Sequence, residues 1–310
     1  ITRTKADALG SVATAERFCG KCGYPWPSWW KTCKVCDAIA DDHAGLCKEI
    51  ARKRKTAKRK RDKSKVFDME EALTPMLRDM WTLSPVKPGK TVERIMSKLG
   101  GAPYLEEGER WPVCKTCSKP LGFVGQVNLA GLPLEEELGF TLFTFYYCWD
   151  CNPYGYLTKQ DEWAVRTYET VELSSMSHAD PPEWPYKQLG EPLECALRFK
   201  QTPALPDWED LCLLAPKVGN MIETMTKDGD CPWESYYRQM RKVGAKKWPP
   251  SHVGGYPWWI QGSEGSPKKL HCVAGFQSED KAGIAWGDGG RANLFLDKKS
   301  ARFRLSVQCY

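Results

Sequence analysis

The sequence lacks the features that mark several large classes of protein. No apolar run approaches the ~20 residues of a membrane-spanning helix, and the longest, around 140–147, fits a buried strand. Histidine is scarce, with four in 310 residues, and none lies in an H-E-x-x-H or H-x-E…P-C-x-x-C pattern. The G-x-x-x-x-G-K-[ST] phosphate loop and the G-x-S-x-G nucleophile elbow are also absent. These absences favour a soluble, non-catalytic protein.

Cysteine is common in the sequence, but its density is below that of a small disulfide-stapled domain. The 14 cysteines among 310 residues fall well below the ~8–10% of such scaffolds. Eight of them form four C-x-x-C pairs, a spacing typical of metal ligands. We therefore expect metal sites in a reducing intracellular compartment, with the cytoplasm favoured. Because the sequence begins at Ile1 rather than Met, the question of a preceding targeting segment stays open.

Positive charge is concentrated in one segment. The formal net charge is +6, and residues 48–65 carry eleven Lys or Arg against only Glu49 and Asp62. A run of this density is more often a solvated tail or an address signal, but it also fits contact with a polyanion.

The remaining sequence predicts an α+β fold with a strand-rich antiparallel core domain and a small amino-terminal zinc ribbon. Helices are expected over 68–80, 91–98, 208–214 and 232–243. Short apolar runs separated by Pro and Gly predict strands over 121–129, 140–147, 163–171, 194–199, 270–278 and 291–296.

The first predicted zinc site lies near the amino terminus and consists of Cys19, Cys22, Cys33 and Cys36. Two C-x-x-C pairs supply the four thiolates of a closed tetrahedral structural site. Gly23, directly after the first pair, allows the backbone conformation that the tight turn needs. The alternative, two disulfides, requires an oxidising compartment for which the sequence offers no sign.

The second predicted zinc site joins pairs that are far apart in sequence: Cys114, Cys117, Cys148 and Cys151. The gap of thirty residues contains the predicted strands 121–129 and 140–147. Antiparallel pairing of these strands would bring the start of the first beside the end of the second. Both cysteine pairs would then meet at one end of a hairpin, so two structural zinc ions are expected in the chain.

Other cysteines and histidines have simpler interpretations. His43 and Cys47 could be a spare ligand pair on one helix face, but ordinary helix residues are favoured. Cys272 beside His271 could suggest a nucleophile, yet adjacent strand residues point to opposite faces. The cysteines without pair spacing are expected to be small buried residues: Cys195, Cys212, Cys231, Cys272 and Cys309.

Two motifs near the carboxyl terminus suggest a ligand pocket as an alternative to simple turns. They are residues 252–261 (HVGGYPWWIQ) and 284–290 (IAWGDGG). If the motifs are structural turns, the glycines provide tight bends and the tryptophans fill the core. As a pocket for a small ligand or peptide, the lining would be His252, Trp258, Gln261, Trp286 and Asp288.

From about residue 98 onward the chain resembles the YwqG-like family, a bacterial family whose function is not known. The matching segments are 99–103 (LGGAP), 111–112 (WP), 120–129 (PLGFVGQVNL), 254–257 (GGYP) with Gln261, and 286–290 (WGDGG). Together with the cysteine spacing and the charge run, the resemblance gives the expected organisation: a zinc ribbon over 1–47, a basic helix or linker over 48–66 and a YwqG-like domain over 67–310 with an inserted second zinc site. The ribbon and the basic run lie outside the resemblance.

The zinc-bearing part is also similar to the programmed cell death protein two family, in which a Gly-Gly-x-Pro entry precedes a cysteine pair, two strands and another cysteine pair. That resemblance implies zinc binding and chaperoning of a newly made small-subunit ribosomal protein. The carboxyl-terminal part looks YwqG-like instead, so the client-binding role does not carry over residue by residue.

Three functions remain as hypotheses. The first is a non-catalytic zinc-binding interaction protein that holds a protein or ribonucleoprotein partner. The second is a nucleic-acid-binding or ribosome-associated protein acting through the basic run and the ribbon, with contacts from Arg52, Lys53, Arg54, Lys55, Lys58, Arg59, Lys60, Arg61, Trp29 and Trp30. The third is an enzyme or small-ligand binder that uses the carboxyl-terminal pocket.

Overall fold

Near the amino terminus, the computed structural model describes four two-residue strands, which pair as two short antiparallel ladders. Strand β1 (Arg17–Phe18) pairs with β2 (Pro25–Trp26), and β3 (Thr32–Cys33) pairs with β4 (Ala38–Ile39). Beyond them, the structure describes residues 69–86, 92–152, 160–186, 189–226, 230–264, 269–297 and 299–310.

Ten strands form one antiparallel sheet within the unit Asp68–Tyr310. They are β5 (Arg78–Pro85), β6 (Lys98–Leu99), β7 (Gly122–Asn128), β8 (Leu142–Tyr147), β9 (Trp163–Tyr168), β10 (Cys195–Ala204), β11 (His252–Gly254), β12 (His271–Gln277), β13 (Arg291–Asp297) and β14 (Arg302–Gln308). Their order is β14-β13-β12-β11-β5-β10-β6-β7-β8-β9. The strand-rich antiparallel core is therefore confirmed, and the fold is mainly β with some helix.

The helices are short and lie mostly in the connection after β10. They are α1 (Met69–Leu73), α2 (Pro133–Leu138), α3 (Trp208–Leu214), α4 (Pro216–Met225) and α5 (Pro232–Lys242). Helix α3 begins where the Asp207 side chain accepts a hydrogen bond from the Glu209 amide. Among the described residues, no helix is both long and apolar enough to cross a bilayer.

Strands β7 and β8 have buried residues on both of their faces. Phe143 and Phe145 on β8 pack against Phe276 of β12, with ring centroids 6.5 and 5.8 Å apart. On β7, Gln126 is fully buried, and its side chain donates to the Met96 carbonyl and accepts from the Tyr104 amide. Burial on both sides explains why these strands are continuous apolar runs rather than alternating ones.

Two of the predicted helices are wrong in whole or in part. Over 68–80, helix α1 and a 3-10 turn at Thr74–Met76 give way to strand β5, whose middle four residues are buried. Over 91–98 the described residues 92–98 form turns that end in β6. Here the Lys98 ammonium bonds to the Val92 carbonyl and the Glu194 carboxylate, so tertiary contacts override the helical pattern.

Candidate metal centre

The second predicted metal site lies at one end of the β7–β8 hairpin. Gly122 at the start of β7 is paired with Tyr147 at the end of β8. The two cysteine pairs flank this hairpin in sequence, one just before β7 and the other just after β8. Each C-x-x-C pair forms a tight turn, called a knuckle: Cys114–Cys117 is the first knuckle and Cys148–Cys151 the second. The strand pairing brings the two knuckles together, as the sequence predicts.

Four sulfur atoms converge at this position, from Cys114, Cys117, Cys148 and Cys151. All four Sγ atoms lie within 4.8 Å of one another, with Cys114 to Cys151 at 3.7 Å and Cys117 to Cys148 at 3.6 Å. A tetrahedral zinc shell with Zn–S bonds of about 2.3 Å places its sulfurs about 3.8 Å apart. A disulfide would need about 2.0 Å, so these are free thiols spaced to hold one ion.

The first knuckle is shaped by its own backbone. The Ser118 amide donates to the Cys114 carbonyl at 2.8 Å, and Ser118 has φ 60°, in the left-handed region. Ser118 follows its cysteine pair as Gly23 follows the first pair of the chain. Burial raises the pKa of the Cys114 thiol, but the Cys117 and Thr116 amides donate to its sulfur and the net shift is downward. The turn therefore favours a thiolate at this position.

The second knuckle has a related arrangement. The Cys148 amide donates to the Glu162 carbonyl at 2.8 Å, and the Cys151 amide donates to the Cys148 sulfur. Burial raises the pKa of Cys148 to about 11 and is also the main cause of a raised pKa at Cys151. Without a cation these two sulfurs stay protonated at neutral pH. Binding of a divalent ion would displace these protons.

Aromatic side chains connect the metal centre to the core. The Tyr186 hydroxyl accepts from the Gly122 amide and lies 3.1 Å from the carbonyl oxygens of both Pro120 and Tyr147. Trp149, inside the second knuckle, contacts the Tyr186 ring at 5.8 Å and stacks on Trp286 at the same centroid distance. The knuckles are therefore positioned by buried packing as well as by their turns.

Two lysine–aspartate ion pairs involve residues in or next to the cysteine knuckles. Lys119, beside the first knuckle, forms an ion pair with Asp150 of the second. This hydrogen bond is the main cause of a raised pKa at Lys119, and the nearby Cys117 and Cys148 add to the shift. Lys115 pairs with Asp161 at 3.1 Å. Both pairs are exposed, so they contribute little to stability.

The other predicted binding elements of the amino-terminal segment lie outside the described residues. For the first zinc site, the structure describes only the backbone of Cys33, within β3. The remaining positions outside the description are Cys19, Cys22, Cys36, His43, Cys47, Trp29, Trp30 and the basic run 48–65.

The residues predicted for a carboxyl-terminal pocket are distributed over separate environments. Trp286 lies in the aromatic core around Phe145, whereas Trp258 packs on Tyr237 of α5. His252 is fully buried in β11 with Nδ1 3.1 Å from the Gly254 carbonyl, and burial lowers its pKa to about 3.

The last two of these residues bond near the chain end. The Gln261 side chain donates to the Cys309 carbonyl, and the Asp288 carbonyl accepts from the Tyr310 amide. All of these contacts belong to core and turn packing.

A cavity in the described part of the chain is lined by none of the five residues of the predicted pocket. It measures about 610 Å³ and lies along β14 and beside the start of β9, the two edge strands of the sheet. Its lining includes Trp163, Trp259, Phe303, Arg302 and Arg304. These residues come from distant segments without a shared motif, so the cavity could not be predicted from the sequence.

The unpaired cysteines are mainly packing residues. Cys195, Cys272 and Cys309 are buried, and Cys212 and Cys231 are partly exposed. Cys272 packs with Trp259 and Phe295, whereas the neighbouring His271 lies 3.2 Å from the surface carboxylate of Glu137. The structure therefore does not form a Cys272–His271 nucleophilic pair.

Fold and site together define a strand-rich antiparallel domain with a four-cysteine cluster that could hold one metal ion. Residues 97–303, about two thirds of the chain, match the family model of a domain of unknown function (DUF1963). The chain belongs to this family. A search of curated proteins finds no match.

Proposed function

We propose that this chain is a non-catalytic zinc protein whose metal sites maintain a surface that binds a protein or ribonucleoprotein partner. The observation that carries the proposal is the spacing of the four sulfurs, 3.6 and 3.7 Å for two opposite pairs. This spacing matches a closed tetrahedral shell, and the all-cysteine ligand set is typical of structural zinc.

The coordination chemistry argues against catalysis at this site. Catalytic zinc usually has three protein ligands and a water or substrate in the fourth position. Here four thiols fill the shell, and Cys114 and Cys148 are fully buried. An ion held in this way stabilises the ends of β7 and β8 and has no position for a reacting molecule.

The proposal includes a second zinc ion at Cys19, Cys22, Cys33 and Cys36. Their C-x-x-C spacing supports it, as does the need of a short ribbon for folding energy from metal. The finer family likeness, to YwqG-like proteins and the programmed cell death protein two family, also belongs to the proposal. The second likeness supports a protein client.

The partner can be tested by chemical crosslinking and mass spectrometry of the native complex, purified at low salt with and without ribonuclease. The full chain is compared with Cys148→Ser, and Cys195→Ser serves as a buried-cysteine control. We expect one partner in stoichiometric amount with the wild type and the control, and its loss with Cys148→Ser. Equal retention by both variants, or purification of an active enzyme without a partner, would contradict the proposal.

Nucleic-acid binding through the basic run is the second candidate, supported by eleven cations within residues 48–65. If this run neutralises about five phosphates, log affinity falls with log salt with a slope of about −4. Deleting 48–65 should abolish this binding and leave a folded protein interface intact. A slope near zero, or unchanged binding after the deletion, would remove this candidate.

A further inference from the structure

Trp248 has a backbone conformation and an exposure that folding does not explain. Its φ is 52°, in the left-handed region, and 60% of its surface is exposed. This region is unfavourable for a bulky L-residue, and Gly is the usual choice there. Gly244, four residues earlier, has φ 79° and illustrates that choice. A strained tryptophan that buries little of its surface is a reason to look for a function.

Two basic side chains contact the segment that carries Trp248. The buried guanidinium of Arg291 donates through Nη2 to the carbonyls of both Pro249 and Pro250. The Lys247 ammonium lies 4.1 Å from the Trp248 ring centroid and 4.5 Å from that of Tyr237. Arg291 therefore anchors the backbone next to Trp248, and the indole contacts Lys247 while most of its surface stays in solvent.

Helix α5 extends this surface. Trp233 and Arg241 lie four residues before and after Tyr237, so the three side chains share one face of the helix. Trp233 is 39% exposed. The exposed cations here and in the following turn are Arg238, Arg241, Lys242, Lys246 and Lys247. The acidic residues between 230 and 248 are Asp230 and Glu234, and Asp230 pairs with Arg238 at 3.8 Å.

We propose that this basic aromatic surface, formed by Trp233, Tyr237, Arg241, Lys247 and Trp248, binds single-stranded nucleic acid. A base stacks on the exposed indole of Trp248 while the neighbouring cations contact phosphates. Stacking platforms beside cations are the common means of binding single strands without sequence preference. An acidic peptide could use the cations but would not need a flat ring held in a strained backbone. The surface is formed by residues other than the basic run 48–65, and the proposal does not depend on the zinc proposal.

The test measures fluorescence anisotropy with two labelled probes of equal charge, a 12-nucleotide oligouridine RNA and an abasic 12-mer. The protein is the full chain in which the cations of 48–65 are replaced by Gln, so that this run does not mask the surface. Trp248→Asn removes the ring and keeps a residue that tolerates the left-handed backbone. Tyr310→Ala, which removes another exposed aromatic ring (72% exposed), is the matched control.

We expect Trp248→Asn to weaken oligouridine binding about tenfold, in the range of one lost base stack, and to leave abasic binding unchanged. Lys246→Gln with Lys247→Gln should weaken both probes and make the salt slope shallower by about 1.4. Tyr310→Ala should bind as the parent does. Because Trp248 is 60% exposed and its backbone is strained, Trp248→Asn should keep or raise the thermal midpoint.

Four results would overturn the proposal. The first is unchanged oligouridine affinity in Trp248→Asn, and the second is an equal loss with both probes. The third is a fall of more than about 4 °C in the thermal midpoint, which would identify the ring as structural. A twelve-residue polyglutamate peptide whose binding depends equally on Trp248 would assign the surface to an acidic protein and would also overturn the proposal.

Discussion

Replacing Cys148 by Ser removes one of the four sulfurs from the cluster at the end of the β7–β8 hairpin. The Cys148 side chain is fully buried, with its sulfur 3.6 Å from that of Cys117. A ligand that binds only the folded state at about 1,000 times its dissociation constant contributes about 4 kcal/mol to the free energy of unfolding. Losing the ion should cost an amount of this order.

The expected change in melting temperature follows from the size of the unit. Each kcal/mol shifts the midpoint of a domain of 150–250 residues by about 2–4 °C, and the cluster lies in the unit Asp68–Tyr310. Cys148→Ser should therefore lower Tm by about 8–16 °C in circular dichroism melting with zinc present. Excess chelator should lower the wild-type Tm by at least as much.

Cys195→Ser separates the loss of metal from the loss of a buried sulfur. Cys195 is fully buried outside the cluster, and its sulfur donates to the Lys281 carbonyl at 3.4 Å, a bond that Ser can keep. Its Tm should fall by no more than about 4 °C. If the two variants melt within a few degrees of each other, or chelator has no effect, the cluster does not bind a stabilising ion.

Three further predictions concern buried charged groups. Burial raises the pKa of Asp207 to about 6, so the folded state binds its proton more tightly than the unfolded state. The contribution of Asp207 to the free energy of unfolding therefore falls as pH rises from about 4 to 6, and Asp207→Asn should raise the free energy of unfolding at pH 7 by about 3 kcal/mol in urea titrations. His252, with its pKa lowered to about 3, makes the opposite contribution, which raises the free energy of unfolding as pH rises from about 3 to 6.5. Urea titrations at pH 5 and 7 should show that His252→Gln removes about 2 kcal/mol of the rise between these two pH values. The Lys98 ammonium is fully buried 3.0 Å from Glu194, so Glu194→Gln should cost about 3 kcal/mol in denaturant unfolding at pH 7, and Lys98→Met in the same chain should recover part of it. A pH profile that Asp207→Asn or His252→Gln leaves unchanged relative to the wild type, or a Glu194→Gln cost below about 1 kcal/mol, would contradict the corresponding reasoning.

The elements that sequence reasoning placed well have local signals. Helix α3 occupies the predicted 208–214, because Asp207 supplies an N-cap and an apolar pattern follows. The second cysteine cluster could be predicted because its spacing was interpreted together with the strands between the pairs. The apolar run 140–147 contains β8, whose buried residues leave little ambiguity.

The elements that were missed depend on distant partners. The strand β14 alternates polar and apolar residues from Arg302 to Gln308, a local strand pattern that is not among the predicted strands. The segment 91–98 has a helical pattern, but the buried Lys98–Glu194 pair holds its end in β6. The separation of His252 from Trp286 could not be predicted from local sequence. It depends on the face of the sheet on which each side chain lies and on the part of the core that it joins.

The central claim, closed zinc sites made only of cysteine sulfur, is tested most directly by zinc K-edge X-ray absorption on the purified full-length chain. The account predicts four sulfur neighbours per zinc at about 2.3 Å. It also predicts that loading falls from two ions to one in Cys148→Ser. A nitrogen or oxygen neighbour at about 2.0–2.1 Å, or a chain that binds no zinc, would contradict it.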